Sequence, residues 1–207
     1  MKRCVIIGGA EINNYEFVRG YLSPDDFYIF CDCGLNHEKN LGVKADLIIG
    51  DFDSHEAPKN FNNVIILPTV KDDTDTIYAI KEGIKRNFEE FLLIGVVGAR
   101  LDHTLVNVYG LLMLAKANKR AKIIDDYSEM EMIFPNETKI VNEKFSYFSL
   151  VNISGEARGV SISGAKYNLE DSEIKSEYQF ATSNEVLPGE TAKIKIREGN
   201  LLLIRVK

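Results

Sequence analysis

The chain has 207 residues, of which 45% are apolar and 27% charged, with only five prolines. Disordered and fibrous proteins do not have this composition, so we expect a folded protein. The net charge of -6 would repel a polyanion, and no basic patch is evident, so we expect no nucleic-acid partner.

Residues 1–126 alternate short β-branched runs with segments of helical spacing, which is typical of a parallel sheet covered by helices. One helix is predicted from Ile77, Ile80 and Ile84, and a second from the apolar positions 105, 108, 109 and 112. Both apolar faces are expected to pack against the sheet. The predicted strands cover residues 3–7, 27–31, 47–49, 63–67, 91–96 and 122–124.

The pattern changes after about residue 127, where Gly, Ser and Asn separate short alternating segments. Residues 127–207 are therefore predicted to form a small all-β sandwich after the α/β domain. The predicted strands there cover residues 131–134, 147–152, 159–163, 192–197 and 201–206.

The apolar runs are too short to cross a membrane or to form a signal peptide. The longest covers residues 91–99 and contains two glycines, whereas a spanning helix needs roughly 20 apolar residues. The run after Lys2 and Arg3 ends at Gly8, which is too short for the core of a signal peptide. We expect no membrane partner and a cytoplasmic location.

Acidic side chains follow several predicted strands, and the carboxyl ends of parallel strands share one edge of a sheet. Asp32 follows one strand, and Asp51 and Asp53 follow the next. Asp75 lies in an acidic segment after residues 63–67, and Asp102 follows residues 91–96. Converging carboxylates repel one another unless a cation compensates, and oxygen ligands alone favour Mg²⁺. The pattern therefore predicts a magnesium site and a phosphate-bearing substrate.

Lys71 and Arg100 supply the positive charge that a polyphosphate needs. Structural interpretations of the acids remain open at this stage. Residues 72–74 and Asp102 can cap the helices that follow them, and Asp51 and Asp53 can close a turn. That every one of these acidic segments has only a structural role is less probable than that any single one does.

Six short segments resemble those of the thiamine pyrophosphokinases. They read Asp-Cys-Gly-Leu-Asn, Gly-Asp-Phe-Asp-Ser, Lys-Asp-Asp-Thr-Asp and Gly-Ala-Arg-Leu-Asp-His in the first half, followed by Gly-Ala-Lys-Tyr-Asn-Leu and Thr-Ser-Asn-Glu in the second. The resemblance covers the whole chain, in order and in spacing. The matching residues are 32–36, 50–54, 71–75, 98–103, 164–169 and 182–185.

This resemblance implies transfer of a pyrophosphoryl group from ATP to the thiamine hydroxyl, with Mg²⁺, giving thiamine diphosphate and AMP. It also implies a three-layer α/β/α Rossmann-like nucleotide-binding catalytic domain at 1–126. A thiamine-binding and dimerisation sandwich at 127–207 and a homodimer that holds thiamine between its subunits are implied as well.

The resemblance also implies roles for individual residues. Asp51, Asp53 and Asp75 would hold Mg²⁺, while Lys71 and Arg100 would neutralise phosphate oxygens. A carboxylate would orient the thiamine hydroxyl or accept its proton, with Asp102 and Asp72 as rival candidates. The expected substrate-binding residues are Asp32, Gly34, Asn36, Ser54, Asp72, Thr74, His103, Ser183 and Asn184.

Two features depart from the family pattern. Ala99 stands where the family often has glycine, and the chain has no tryptophan on which thiamine could stack. Tyr167 and Tyr178 are candidates for that platform, although each can equally be a core aromatic. Two other functions stay open: a Mg²⁺-dependent phosphohydrolase or nucleotidyl transferase on another small substrate, and a nucleotide-sensing module without catalysis.

Overall fold

A computed structural model describes residues 2–52 and 63–207 of the chain. It has a mixed α/β fold, with a large sheet rich in parallel strands and a separate antiparallel sheet, which confirms the predicted class. The chain divides into two compact units, Met1–Asp126 and Tyr127–Lys207. Within the described ranges, no helix combines the length and the apolarity that a membrane crossing requires.

The first unit contains six parallel strands in the order β4-β3-β2-β1-β5-β6. β1 therefore lies between β2 and β5, and the chain reverses its direction across the sheet there. In open parallel sheets, ligands bind beyond the carboxyl ends of the strands near such a reversal. The elements are β1 (Cys4–Ile7), α1 (Tyr15–Arg19), β2 (Phe27–Cys31), a 3-10 helix (Asp32–His37), α2 (Glu38–Leu41), β3 (Leu47–Gly50), β4 (Val64–Ile66), α3 (Asp75–Lys85), β5 (Glu90–Ile94), α4 (Leu101–Lys116) and β6 (Arg120–Ile124).

The central strands β1, β2 and β3 are apolar along their whole length, as expected where both faces of a sheet are covered. On one face, Val5 and Ile7 of β1 pack in a cluster with Val18 of α1. On the other face, Cys4 of β1 and Phe91 of β5 lie against Gly83 of α3. All six predicted strands are present, with ends that differ from the prediction by at most two residues.

The expected buried face of α4 is wrong in its first half, although Leu112 of that face is buried. Leu105 and Tyr109 were expected to pack against the sheet, but they are 51% and 53% exposed. The buried side of α4 instead carries Asn107, Leu111 and Leu114, which repeat at the same helical period on the opposite side. Because both sides of this helix are apolar, spacing alone does not identify the buried one.

The second unit consists of antiparallel strands. Three lie in the order β7-β13-β9 and four in the order β11-β10-β12-β8, and both sets contribute side chains to one apolar core. Two short or polar strands, β8 and β11, were not predicted. Each lies at an edge of the four-stranded sheet, where polar side chains face solvent. The strands are β7 (Ser128–Ile133), β8 (Thr138–Val141), β9 (Tyr147–Val151), β10 (Glu156–Ser163), β11 (Leu169–Lys175), β12 (Ala192–Lys195) and β13 (Leu201–Val206).

Candidate active site

Two predicted site carboxylates share one lysine at the carboxyl edge of the parallel sheet. Asp51 directly follows β3, and Asp75 is the first residue of α3. The Lys71 Nζ donates to Asp51 Oδ2 at 2.7 Å and lies 2.6 Å from Asp75 Oδ1. Because one ammonium contacts both carboxylates, their oxygens converge on a single point that requires positive charge.

The electrostatics of this group follow from its partial burial. Burial raises the pKa of Asp75; Lys71 opposes this rise, while the charges of Asp51 and Asp32 add to it. Burial of the ammonium alone would lower the pKa of Lys71, but its hydrogen bonds to Asp51 and Asp75 outweigh that effect and raise it. The negative charges of Asp51 and Asp32 therefore act on Asp75, and the ammonium of Lys71 partly offsets them.

Asp32 lies beside the end of β3 because the backbone approaches closely there. A Cβ atom built on Gly50 would lie 3.2 Å from the Asp32 Cα, and one built on Gly34 would lie 2.3 Å from the Ile7 carbonyl oxygen. Gly34 is therefore required for the 3-10 helix to lie across the end of β1. Asp32 and Phe52 have φ of 43° and 52°, in the left-handed region that is rare outside glycine and often marks functional loops.

The segment before α3 caps that helix, which is one of the structural interpretations left open by the sequence. Thr74 is the N-cap of α3, and its Oγ1 accepts from the Ile77 N–H at 3.3 Å. Asp73 pairs with Lys81 at 2.5 Å, while Asp72 is exposed. The Thr74 cap thus places Asp75 in the first turn of α3, within reach of Lys71.

Replacing Thr74 by alanine removes the hydroxyl that satisfies an N–H at the start of α3. We expect the free energy of unfolding to fall by about 1 kcal/mol. Urea unfolding followed by circular dichroism measures this loss, and a Thr74→Ser variant, which keeps the hydroxyl, serves as the control. Equal stability of the alanine and serine variants would contradict a capping contribution from this side chain.

Arg100 and Asp102 form a two-pronged pair at the start of α4. Arg100 Nε donates to Asp102 Oδ1 at 3.1 Å and Nη2 to Oδ2 at 2.6 Å. Hydrogen bonding to Arg100 lowers the pKa of Asp102 to about 2. Both side chains and His103 are exposed, so the pair is held at the surface of the same carboxyl edge.

In the second unit, the predicted thiamine-contacting segment is built around a buried amide. Asn184 is 2% exposed, and its Oδ1 accepts from the N–H of Tyr167 at 3.0 Å while its Nδ2 donates to the Tyr167 carbonyl at 2.7 Å. Ser183 is exposed with φ of 53°, and its N–H donates to Ser149 Oγ at 3.0 Å. Asn184 therefore fixes the backbone that presents the exposed Tyr167 ring, with Lys166 Nζ 5.6 Å from its centroid.

Sequence comparison with known families covers both units. The model of the family described as "Thiamin pyrophosphokinase, catalytic domain" matches residues 18–124, and that described as "Thiamin pyrophosphokinase, vitamin B1 binding domain" matches residues 137–201. The chain belongs to the thiamine pyrophosphokinase family. Members of this family are diphosphotransferases, so the chain is an enzyme of that class.

Individual relatives agree with this assignment. The thiamine pyrophosphokinase of Bacillus subtilis is 26% identical over 212 residues, covering 99% of each chain. The crystal structure of thiamine pyrophosphokinase from Bacillus subtilis matches with a TM-score of 0.85 at 23% identity, over 100% of this chain and 99% of that one. The structure from Geobacillus thermodenitrificans matches with a TM-score of 0.81 at 25% identity, over 99% and 97%. These structures share the fold described above.

Some of the site residues suggested by the family resemblance cannot be placed. Asp53 and Ser54 lie outside the described residues. Among residues 2–52 and 63–207, no three His, Cys, Asp or Glu side chains are grouped closely enough to hold a metal ion. Of the three expected metal ligands, the described residues therefore contain only Asp51 and Asp75. Asn36 is exposed at the end of the 3-10 helix.

Sequence reasoning missed the structural importance of His37. His37 was not among the predicted site residues, but it is 7% exposed and makes two hydrogen bonds at the end of the 3-10 helix that begins at Asp32. Its position directly after residues 32–36, which resemble a thiamine pyrophosphokinase segment, was the available signal.

Proposed function

We propose that the chain catalyses Mg²⁺-dependent transfer of the pyrophosphoryl group of ATP to the hydroxyl of thiamine, giving thiamine diphosphate and AMP. The observation that carries the proposal is the convergence of Asp51 and Asp75 on Lys71, at the edge where parallel sheets bind ligands. A phosphohydrolase or a nucleotidyl transferase can use the same edge. The matched vitamin B1 binding domain favours thiamine as the acceptor.

Each unit is assigned one part of the reaction. We infer that residues 1–126 form a three-layer α/β/α, Rossmann-like domain that binds the nucleotide and carries catalysis. Residues 127–207 form a β-sandwich that binds thiamine and contributes to dimerisation. The descriptions of the two family matches support this division, since the catalytic and vitamin B1 binding matches fall on separate units.

The residues present fit a magnesium ion. Asp51 and Asp75 offer only oxygen donors, and a cation already lies 2.6 to 2.7 Å from one oxygen of each carboxylate. Asp51, Asp75 and Asp53 would hold the ion. When bound, Mg²⁺ supplies charge neutralisation for the phosphate oxygens.

The chain's own side chains account for the remaining steps. Lys71 can exchange one of its carboxylate contacts for a phosphate oxygen, and Arg100 can bind two phosphate oxygens in place of Asp102. Both cations then stabilise the negative charge that develops as the β-phosphorus is attacked. While Arg100 is paired with it, Asp102 has a pKa of about 2 and is a weak base, which suits orientation of Arg100 better than proton abstraction. Transfer of Arg100 to phosphate releases the Asp102 carboxylate to orient the thiamine hydroxyl or accept its proton. Asp72 is the alternative base.

We assign the remaining candidates to contact with the substrates or to support of the groups that make it. On the nucleotide side these are Asp32, Gly34 and Asn36 of the 3-10 helix, His103 of α4, Ser54 and Thr74. Thr74 contributes by fixing the start of α3. On the thiamine side, Ser183 contacts the substrate and Asn184 positions the exposed Tyr167 ring, which provides a stacking surface for the cationic substrate.

We also infer a homodimer in the cytoplasm. The stripe of apolar side chains on α4, formed by Leu101, Leu105, Val106 and Tyr109, is exposed in the single chain. Contiguous exposed apolar side chains commonly mark surfaces that another protein covers. Light scattering of the purified chain tests the inference, since a single-chain mass of 23.3 kDa in solution would contradict it.

A product assay tests the reaction. The chain is incubated with ATP and Mg²⁺, with and without thiamine, and AMP and thiamine diphosphate are separated by chromatography. We expect both products in equal amounts, and only when thiamine and metal are both present. ADP or phosphate formed without thiamine would instead identify a phosphohydrolase, while ATP binding with no product would identify a sensing module.

A further inference from the structure

The imidazole of His37 bridges two elements on the nucleotide side of the first unit. Its Nε2 lies 3.0 Å from the carbonyl oxygen of Ala10, and its Nδ1 lies 2.7 Å from the hydroxyl oxygen of Tyr15. A carbonyl oxygen only accepts, so Nε2 carries the hydrogen and donates to Ala10. Nδ1 then accepts from the Tyr15 hydroxyl, and these two partners select one neutral tautomer.

The Ala10 end of this bridge lies against the loop that leads to Arg100. The Ala10 N–H donates to the Gly95 carbonyl at 2.8 Å. A Cβ atom built on Gly98 would lie 2.9 Å from the Ala10 Cβ, so these backbones are in close contact. A shift of Ala10 therefore displaces the loop after β5, and with it the arginine at the start of α4.

The opposite end of the bridge is the 3-10 helix itself. His37 is its last residue, and Asp32, beside the end of β3, is its first. Tyr15 belongs to α1, so its hydroxyl ties the ring to the helix that follows the β1 loop. One buried side chain thus links the loops after β1, β2 and β5.

We propose that His37 is a positioning residue that holds the loops bearing Asp32 and Arg100 in register for the nucleotide phosphates. The inference deepens the proposed function and rests on it. Burial lowers the pKa of His37, with the Ala10 hydrogen bond opposing the shift, so the ring stays neutral at pH 7 and keeps Nδ1 as an acceptor. A displacement of about 1 Å at a reacting group can lower a rate about 100-fold, which sets the scale of the expected effect.

Two variants separate the hydrogen bonds from the volume of the ring. His37→Gln retains one donor and one acceptor at a separation close to that of the imidazole nitrogens, whereas His37→Leu fills space without either. We expect His37→Leu to lower kcat/KM for ATP about 100-fold. His37→Gln is expected to recover most of that loss, and Tyr15→Phe, which removes only the hydroxyl, to lie between the two.

Two further readouts keep the proposal testable if the leucine variant does not fold. Nitrogen-15 NMR of the wild-type chain at pH 7 should show a neutral His37 ring protonated at Nε2, and calorimetry should show weaker binding of Mg-ATP to Tyr15→Phe. A ring protonated at Nδ1, or Tyr15→Phe with unchanged Mg-ATP affinity and kcat/KM, would overturn the proposal, as would a folded and fully active His37→Leu. If the wild type formed no thiamine diphosphate, the proposed function would fail, while the tautomer and Mg-ATP affinity would still test the role of His37.

Discussion

Replacing Asp51 by asparagine is expected to lower kcat about 100- to 1,000-fold, the scale seen when one preorganised charge interaction with a transition state is removed. The amide keeps the shape of the side chain and can still accept from Lys71, so the fold is expected to survive. It lacks the negative charge that a divalent cation requires, and the remaining described carboxylate, Asp75, is then the only one contacting Lys71.

Steady-state kinetics over a range of Mg²⁺ concentrations, together with thermal unfolding, measure this effect. Asp25→Asn is the matched control, because Asp25 is exposed just before β2 and therefore at the opposite edge of the sheet. It makes the same chemical change away from the site, and its kcat should equal that of the wild type. A folded Asp51→Asn enzyme with normal kcat and normal dependence on magnesium would remove Asp51 from the metal site.

Replacing Lys71 by methionine has the second large effect, on both stability and catalysis. It leaves Asp51 and Asp75 without their shared ammonium, and both side chains are mostly buried, with 16% and 20% of their surface exposed. Breaking a partly buried charge group in this way is expected to cost about 2 kcal/mol of unfolding free energy at pH 7. Loss of a phosphate-binding cation should also lower kcat/KM for ATP about 100-fold.

The stability loss of Lys71→Met depends on pH with a defined sign. Burial already raises the pKa of Asp75 above its usual value, and removing Lys71 raises it further. A carboxyl whose pKa is higher in the folded state destabilises the fold increasingly as pH rises through that pKa. The stability difference from wild type should therefore be full at pH 7 and shrink as pH falls towards 4.

Thermal unfolding of both proteins between pH 4 and pH 7 checks this prediction. Lys85→Met in the last turn of α3 is the control, because the Lys85 side chain is 79% exposed and its ammonium lies 3.7 Å from a Glu82 carboxylate oxygen. An exposed pair of this kind contributes little to stability, so that variant should follow the wild type at every pH. If the stability difference between Lys71→Met and the wild type were constant with pH, the pKa of Asp75 would not depend on Lys71.

Much of the first unit could be predicted from sequence because most of its strands are continuous apolar runs. β1, for example, has four fully buried residues, a pattern that survives without knowledge of their partners. The short helices α1 and α2 have too few residues to show a helical period and were not predicted. The strand β11 was missed because its sequence, LEDSEIK, is largely polar.

The sequence predicted which side chains follow the strands and therefore lie at the same edge of the sheet, but it did not predict their contacts there. The placement of Asp32, Asp51 and Asp75 at that edge follows from parallel topology, but the Lys71 bridge between two of them depends on the path of a loop. The sequence around Thr74 is equally compatible with a helix cap and with a substrate-binding residue, and the structure shows that it is a cap. The role of His37 depends on its hydrogen bonds to Tyr15 and Ala10. These residues lie 22 and 27 positions away in the sequence, so no local pattern indicates the contacts.

The fate of the terminal phosphate of ATP tests the proposed reaction most directly. ATP labelled with phosphorus-32 at the γ position is incubated with the chain, Mg²⁺ and thiamine, and the labelled products are separated. Pyrophosphoryl transfer predicts that the label appears in thiamine diphosphate while the released AMP is unlabelled. Label in free pyrophosphate would indicate nucleotidyl transfer, and label in free phosphate would indicate hydrolysis. Either result without labelled thiamine diphosphate would contradict the proposed function.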